Sequence, residues 1–423
     1  MNYFKKGSED TVIKSEELKR YVWESLDKIG PRNKVLIVPP DFTRFHSRAG
    51  EITTYIYEYY GNAVSDILPA LGTHAPMNAE ELEIMFPGIP QKLFRVHDWR
   101  NDVITIGEIP GEKVKEITKG TIDYSWPAQL NKLIASGGHD LILSVGQVVP
   151  HEVMGMANYN KNLFVGTGGS EGINKSHFIG AAYGMEKVMG RADNPVRSVL
   201  NYASANFTNH LPIVYMHTVM SKNNEGNLVI RGLYIGSGED VYTEAADLSL
   251  KVNFTMLDRP IKKAVVYLDP SEFKSTWLGN KAIYRTRMAL ADNAELIILA
   301  PGLKEFGEDS TIDSLIRKYG YNGTPATLKA TNENKDLRDN LGAAAHLIHG
   351  SSEGRFSITY CPGNISKEEI EAVNFNYASL NDMMKKYPIE NLNDGYNILS
   401  NGEEIYYISN PALGLWATRD KFV

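Results

Sequence analysis

The sequence predicts an α/β protein built as two α/β lobes. Apolar strand-like runs alternate with segments of helical periodicity, and this alternation starts twice, near residue 15 and again after residue 257. Polar residues crowd at the ends of several strand-like runs, which is where open parallel sheets hold ligands. The expected layout is a first domain over 1–257 and a second over 258–400. Residues 401–423 form a tail expected to pack back on the first.

Each element has a local reason. Glu16-Glu17 opens a helix that buries Leu18, Val22, Leu26 and Ile29 and stops at Gly30. Lys34–Val38 reads as a buried strand, followed by the polar turn Asp41–Arg48 and a helix to about Tyr60. "DILPALGTHAP" gives a short strand that breaks at Gly72, and Asn78 with Glu81 forms a capping box. "KLFRVHDW" and "VITIGEI" read as two strands, and "HDLILSVGQVVPH" as a third, buried one. A helix over 198–207, strands at "PIVYMHTVM" and "NLVIRGLYIG" and a helix over 239–253 complete the first lobe, with 256–260 as linker. The second lobe runs "KAVVYLD", a helix over 279–292, "AELIILAPG", "STIDSLIRKYG", a helix near 335–349 and "RFSITYC". A helix over 366–387 and a hairpin turning at Asn401-Gly402 follow.

Composition narrows the functional classes. The 423 residues are 43% hydrophobic, enough for sizeable cores, and the net charge of −7 favours neither nucleic acid nor an anionic membrane. No run of eighteen apolar residues exists, and the first residues lack the apolar stretch of a signal peptide. A single cysteine, Cys361, rules out an intrachain disulfide and cysteine-rich zinc or iron–sulfur sites. A cytoplasmic location is expected.

Four strand mouths carry groups suited to chemistry. In Asp41-Phe-Thr-Arg44, an arginine can clamp a carboxylate and an aspartate can orient it. His74 follows a Gly-Thr step and His151 follows Pro150, two imidazoles that titrate near neutral pH and can exchange protons. "FVGTGGSEGINKSHF" brings glycines 166, 168 and 169 and Lys175, without the spacing of a P-loop or of GxGxxG. On local sequence Lys175 reads as a solvated side chain or a phosphate partner ahead of a covalent attachment point. His97-Asp98, His139-Asp140 and the pair His346 and His349 read as structural.

Taken in order, these stretches resemble the nickel-dependent lactate racemase family. Asp41-Phe-Thr-Arg44, Gly72-Thr-His74-Ala-Pro76, Pro150-His151, the glycines, Lys175-Ser176 and Asn194-Pro-Val196 follow the family's sequence of motifs over roughly residues 30 to 305. "NKAIYRTRMALADNA" resembles its Tyr-Gln-x-x-Lys helix. The resemblance implies two domains with the active site in the cleft between them, and a nickel-pincer nucleotide tethered to a lysine. It implies hydride abstraction from C2 of a 2-hydroxy acid, with return to the other face. His74 and His151 would alternate as base and acid, Asp41 and Arg44 would position substrate, and Lys175 would be the tether. Thr43 and Gly166, Gly168 and Gly169 would line the cofactor.

Three departures shape the expectations. "SEGIN" separates Gly169 from Lys175. The family's nickel-ligating histidine, about sixteen positions after its tether, has no counterpart that far beyond Lys175; Arg191 falls there, and His177 is the nearby imidazole. Arg285 and Met288 replace the family's Gln and Lys. His46, Ser47 and Arg48 add further polar groups to the first mouth. With Arg285 they favour a sugar acid epimerised at C2, over lactate or malate. A non-catalytic sugar-acid or nucleotide-binding protein on the same scaffold is the alternative of another class. The expected partners are the small-molecule acid and the enzymes that make the cofactor, with no nucleic acid and no membrane.

Overall fold

The computed structural model describes every residue except Asn224 and Val423. Its contacts divide the chain into two compact units. One comprises Met1–Ile179 and Lys187–Asn253; the other comprises Gly180–Glu186 and the chain from Phe254 onward. The division falls close to the expected boundary at 257. The tail 401–423 belongs to the second unit, because Glu404–Ile408 is a strand inside its sheet. Trp416–Thr418 also pairs in parallel with Thr255–Leu257, where a linker was expected.

The first unit is organised by a six-stranded sheet. Its strands are β1 (Asn2–Gly7), β2 (Val35–Val38), β3 (Val64–Ile67), β4 (Leu141–Gln147), β5 (Ile213–Lys222) and β6 (Leu228–Gly236), in the spatial order β1-β6-β5-β4-β2-β3. From β3 to β5 all neighbours are parallel, while β5, β6 and β1 are antiparallel. Every residue of β2 and β4 is buried, which explains their unbroken apolar runs. Helix α1 (Ser15–Ile29) buries Leu18, Val22, Leu26 and Ile29 and ends at Gly30, whose φ of 85° suits glycine. Helix α2 (Ala49–Tyr60) carries the chain from β2 to β3 and buries Ile52 and Ile56 in the same core as Val35, Ile37 and Leu143.

The second unit holds another six-stranded sheet. It is parallel except for the hairpin of Gly395–Ile398 with Glu404–Ile408, which turns through Gly402 at φ 82° as the sequence predicts.

Several expected elements differ. "KLFRVHDW" is not a strand: its backbone makes one bridge, Phe94 to Ile67, and His97 is fixed by side-chain hydrogen bonds instead. Val103–Ile109 pairs antiparallel with Trp126–Asn131. The helix expected over 279–292 shrinks to Thr276–Gly279 and Lys281–Tyr284, because Leu290–Ala300 is a long strand held by neighbours on both sides. The helix expected over 366–387 splits into Lys367–Ala372 and Leu380–Lys386 around Asn374, whose φ is 70°. The one near 335–349 splits into Lys335–Arg338 and Leu341–His349, with Asn340 capping the second.

Gly50 fixes how α2 meets helix α3 (Ala79–Met85). A Cβ at Gly50 would lie 2.1 Å from the Met85 carbonyl oxygen. Gly50→Ala should therefore lower unfolding stability by about 1–3 kcal/mol, as overpacking does elsewhere, read as a shifted urea midpoint at unchanged slope.

Candidate active site

Three adjacent parallel strands, β3, β2 and β4, end at the same edge of the sheet. β2 runs into Pro39-Pro40-Asp41, β3 into the loop holding His74, and β4 into the turn holding His151. The three loops enclose a cavity of about 220 Å³ whose lining belongs wholly to the first unit. Asp41, Thr43, Arg44, His74, His151, Lys161, Gly166 and His177 all reach it, together with Gln147 and Asn158.

Asp41 stands just ahead of a 3-10 turn, Phe42–Ser47, and its carboxylate is buried. His74 Nδ1 lies 2.6 Å from Asp41 Oδ2, and Thr43 donates its hydroxyl to Asp41 Oδ1 at 2.5 Å. Burial alone would raise the Asp41 pKa. The bonds from His74 and Thr43 outweigh it, so the carboxyl titrates below its ordinary value and stays an anion. An ionised carboxylate accepts only, so His74 carries its proton on Nδ1 and leaves the Nε2 lone pair free. Arg44 reaches the cavity with no hydrogen-bond partner for its guanidinium among the described residues.

His151 has the opposite tautomer. The backbone N–H groups of Val153 and Met154 point at its Nδ1 from 3.2 and 3.4 Å, so the neutral ring carries its proton on Nε2. Burial holds its pKa well below the usual imidazole value. His177 donates Nδ1–H to the Ile173 carbonyl at 2.8 Å, which leaves its Nε2 lone pair available. Burial pushes its pKa down to about 4, so it is neutral at physiological pH. The two rings lie 6.3 Å apart between centroids.

Sequence reasoning missed Lys161. It sits in the short helix Asn160–Phe164, and burial, with help from Arg44 and Arg197, pushes its pKa down to about 8. A signal for it exists: His177 lies sixteen positions after Lys161, the spacing expected between tether and nickel ligand.

Lys175 does not reach the cavity. On helix α4 (Ser170–Tyr183) it ion-pairs with Glu171 at 2.7 Å and donates to the Ser125 carbonyl at 2.7 Å. Two residues turn a helix by about 200°, so Lys175 and His177 point to different sides. Of the glycines only Gly166 lines the cavity. Gly168 instead lets the backbone close on Phe164, whose carbonyl oxygen would lie 1.8 Å from a Cβ, and a Cβ on Gly169 would meet the Gln129 side chain at 2.4 Å. Two of the additional polar groups of the first mouth turn elsewhere: Arg48 bonds Glu51 and Ser15, and Ser47 is buried. His46 is outside the lining but bonds Gln147, which lines the cavity. Arg285 belongs to the second unit, where it donates to the Ala412 carbonyl at 2.8 Å. The histidines read as structural are so: His97 bonds the Gly168 carbonyl, His139 bonds Asp66, and Tyr321 bonds His346.

The lining residues fit a metal-bearing nucleotide better than a bare ion. Among the described residues no group of three or more His, Cys, Asp or Glu could hold a metal. A single free imidazole nitrogen on His177 suits a metal that arrives with its own ligands. A buried amine of lowered pKa on Lys161 suits covalent attachment. No helix among the described residues is long and apolar enough to cross a membrane.

Fold and site together define an α/β protein with an Asp–His pair, a second histidine and a buried lysine at the carboxyl edge of a parallel sheet. Residues 13–189 match the lactate racemase N-terminal domain. Its fold is similar to a crystal structure of a Thermotoga maritima protein, at 24% identity, with a TM-score of 0.75 over 98% of this chain and 100% of that one. It is also similar to the lactate racemase apoprotein of Thermoanaerobacterium thermosaccharolyticum, at 15% identity, with a TM-score of 0.70 over 96% and 93%. No curated protein matches the chain.

The lowered Lys161 pKa has a measurable consequence for the cofactor-free chain. Between pH 8 and the ordinary lysine value of 10.5, the unfolded chain binds a proton that the folded chain does not. Stability therefore rises with pH across that window. Lys161→Met should melt higher than wild type at pH 7, with the gap in Tm narrowing from pH 8 to 10.5.

Proposed function

We propose that this chain is a racemase or epimerase that inverts C2 of a 2-hydroxy acid, using a nickel-pincer nucleotide held by Lys161 and His177. The observation that carries the reading is the meeting, in one cavity, of the Asp41–His74 pair, His151, Arg44, Lys161 and His177. Lys161 replaces Lys175 as the proposed tether, and Thr43 acts through Asp41. When bound, the nucleotide supplies an acceptor for the hydride that leaves C2.

The residues of the chain do the rest. Arg44 offers two parallel donors to the substrate carboxylate and fixes C2 in the cavity. His74 takes the proton of the 2-hydroxyl on Nε2, and Asp41 stabilises the imidazolium that results. His151 can pass Nε2–H to the 2-oxygen on the opposite face once its Nδ1 has taken up a second proton, so that a neutral imidazole and not an imidazolate is left. For His151 to serve as base in the reverse hand, its Nδ1 must release the Val153 and Met154 N–H groups and take up a proton. The site is thus built asymmetrically, with His74 as the ready base.

The finer reading is a sugar acid epimerised at C2, ahead of lactate or malate. Arg48 and Arg285, which first favoured it, are bonded elsewhere. Its support now comes from the polar wall of Thr73, Gln147 and Asn158, which suits hydroxyls better than a methyl group. The enzymes that build the nucleotide are the partners this reading requires. The binding-protein alternative rested on a missing metal histidine, and His177 answers that objection by its spacing from Lys161.

The test is expression with the cofactor-making enzymes, followed by intact mass and turnover of aldonates, lactate and malate. A mass adduct on Lys161, lost in Lys161→Ala, supports the reading; a bare chain that binds sugar acid supports the binding protein. With C2-deuterated substrate, label should stay at C2, and its wash-out into solvent would sink hydride transfer. His74→Ala and Asp41→Asn should lower kcat by about 10²–10⁴ with smaller changes in KM. Near wild-type turnover in both would remove the assigned base.

A further inference from the structure

Arg197 lies outside the cavity lining, and beyond the effect of its charge on Lys161 it has no role above, yet it is 1% exposed and has no carboxylate partner in its hydrogen bonds. It follows the Asn194-Pro-Val196 step at the start of helix α5 (Pro195–Ala203). A buried cation without an anion costs stability, so what it holds must account for it. Its donors go to the Met156 carbonyl at 2.7 Å, to the Asn158 carbonyl at 3.4 Å and to the Asn160 side chain. Its guanidinium also lies 4.5 Å from the centroid of the Tyr242 ring.

Every hydrogen-bond acceptor is in the segment that delivers Lys161. That segment is strained, since Asn158 and Tyr159 have φ of 66° and 59°, uncommon for residues other than glycine. The same turn holds the segment at a second point, because Asn194 donates to the Met154 carbonyl at 3.2 Å while capping the Arg197 N–H. The Asn158 side chain is held by His217 through its Nδ2, while its Oδ1 has no partner among the described residues.

We infer that Arg197 is a positioning residue: with Asn194 it clamps residues 154–160 in the one backbone shape that turns Lys161 into the cavity. The inference rests on the reading of Lys161 as the attachment point, but its test needs no cofactor. Full-length chain made without the cofactor enzymes is treated with N-hydroxysuccinimidyl acetate. Acetylation of Lys161 is then followed by peptide mass spectrometry, with Lys175 on α4 as internal reference.

Arg197→Met should lower the Lys161-to-Lys175 labelling ratio about tenfold, within the range by which residues of one hydrogen-bonded network couple. Arg197→Lys, which keeps the charge and some donors, should recover part of it. A cooperatively melting Arg197→Met that labels Lys161 at the wild-type ratio overturns the inference. Should Arg197→Met fail to melt cooperatively, Asn160→Ala decides, since it removes one tie and leaves the cation in place. A lowered ratio supports the clamp, and an unchanged ratio refutes it. Failure of the clamp leaves the mass adduct on Lys161 untouched, and absence of the adduct leaves the labelling ratio untouched, so the two readings fall separately.

Discussion

The hydrogen bond between His74 and Asp41 is the interaction on which the site depends. It spans the ends of two neighbouring strands, so its 2.6 Å length holds only if β2 and β3 keep their register. It decides the charge of Asp41, the tautomer of His74 and hence which imidazole nitrogen faces a substrate. The loop of His74 is pinned from the other side as well. Gly72 donates to the Gly166 carbonyl at 2.8 Å, which joins the second mouth to the glycine cluster. A change in either strand end would therefore reach the proton-transfer group without touching it.

Burial does complementary work deeper in the cavity. His151 and His177 are kept neutral because water is excluded around them, and the same exclusion weakens the Lys161 ammonium. Arg44 is exposed and brings a guanidinium, the side chain suited to bidentate contact with a carboxylate. The result is one permanent cation for a carboxylate, two neutral imidazoles and an amine that loses its proton easily. Those are the charge states that the proposed hydroxy-acid binding, proton exchange and covalent attachment would each require.

Much of this was legible along the chain. The strands β2, β3 and β4 show as apolar runs, and the polar mouths that follow them carry Asp41, Arg44, His74 and His151. The tether was not. Lys175 looked suitable because it follows the glycines, but helical phase turns it toward Glu171 and Ser125 while His177 turns inward with Ile173. Lys161 sits in a five-residue helix too short to show a periodic pattern, and its burial comes from segments distant in sequence. Arg48 and Arg285 failed for a similar reason. Both have the right chemistry, and both are held by partners distant in the chain, Arg48 by Ser15 and Arg285 by the Ala412 carbonyl.

What the sequence determined by itself was the α/β class and three of the four strand mouths, because hydrophobic period and local turn chemistry act over a few residues. The tertiary structure decided which lysine enters the cavity, which nitrogen of each histidine is free and which arginines are already occupied. Those properties are set by burial and by hydrogen bonds between residues far apart in the chain, and no local pattern encodes them. The crowded stretch Asp41–Arg48 shows the division within itself: its first residues face the cavity because β2 ends there, and its last face away because α2 begins.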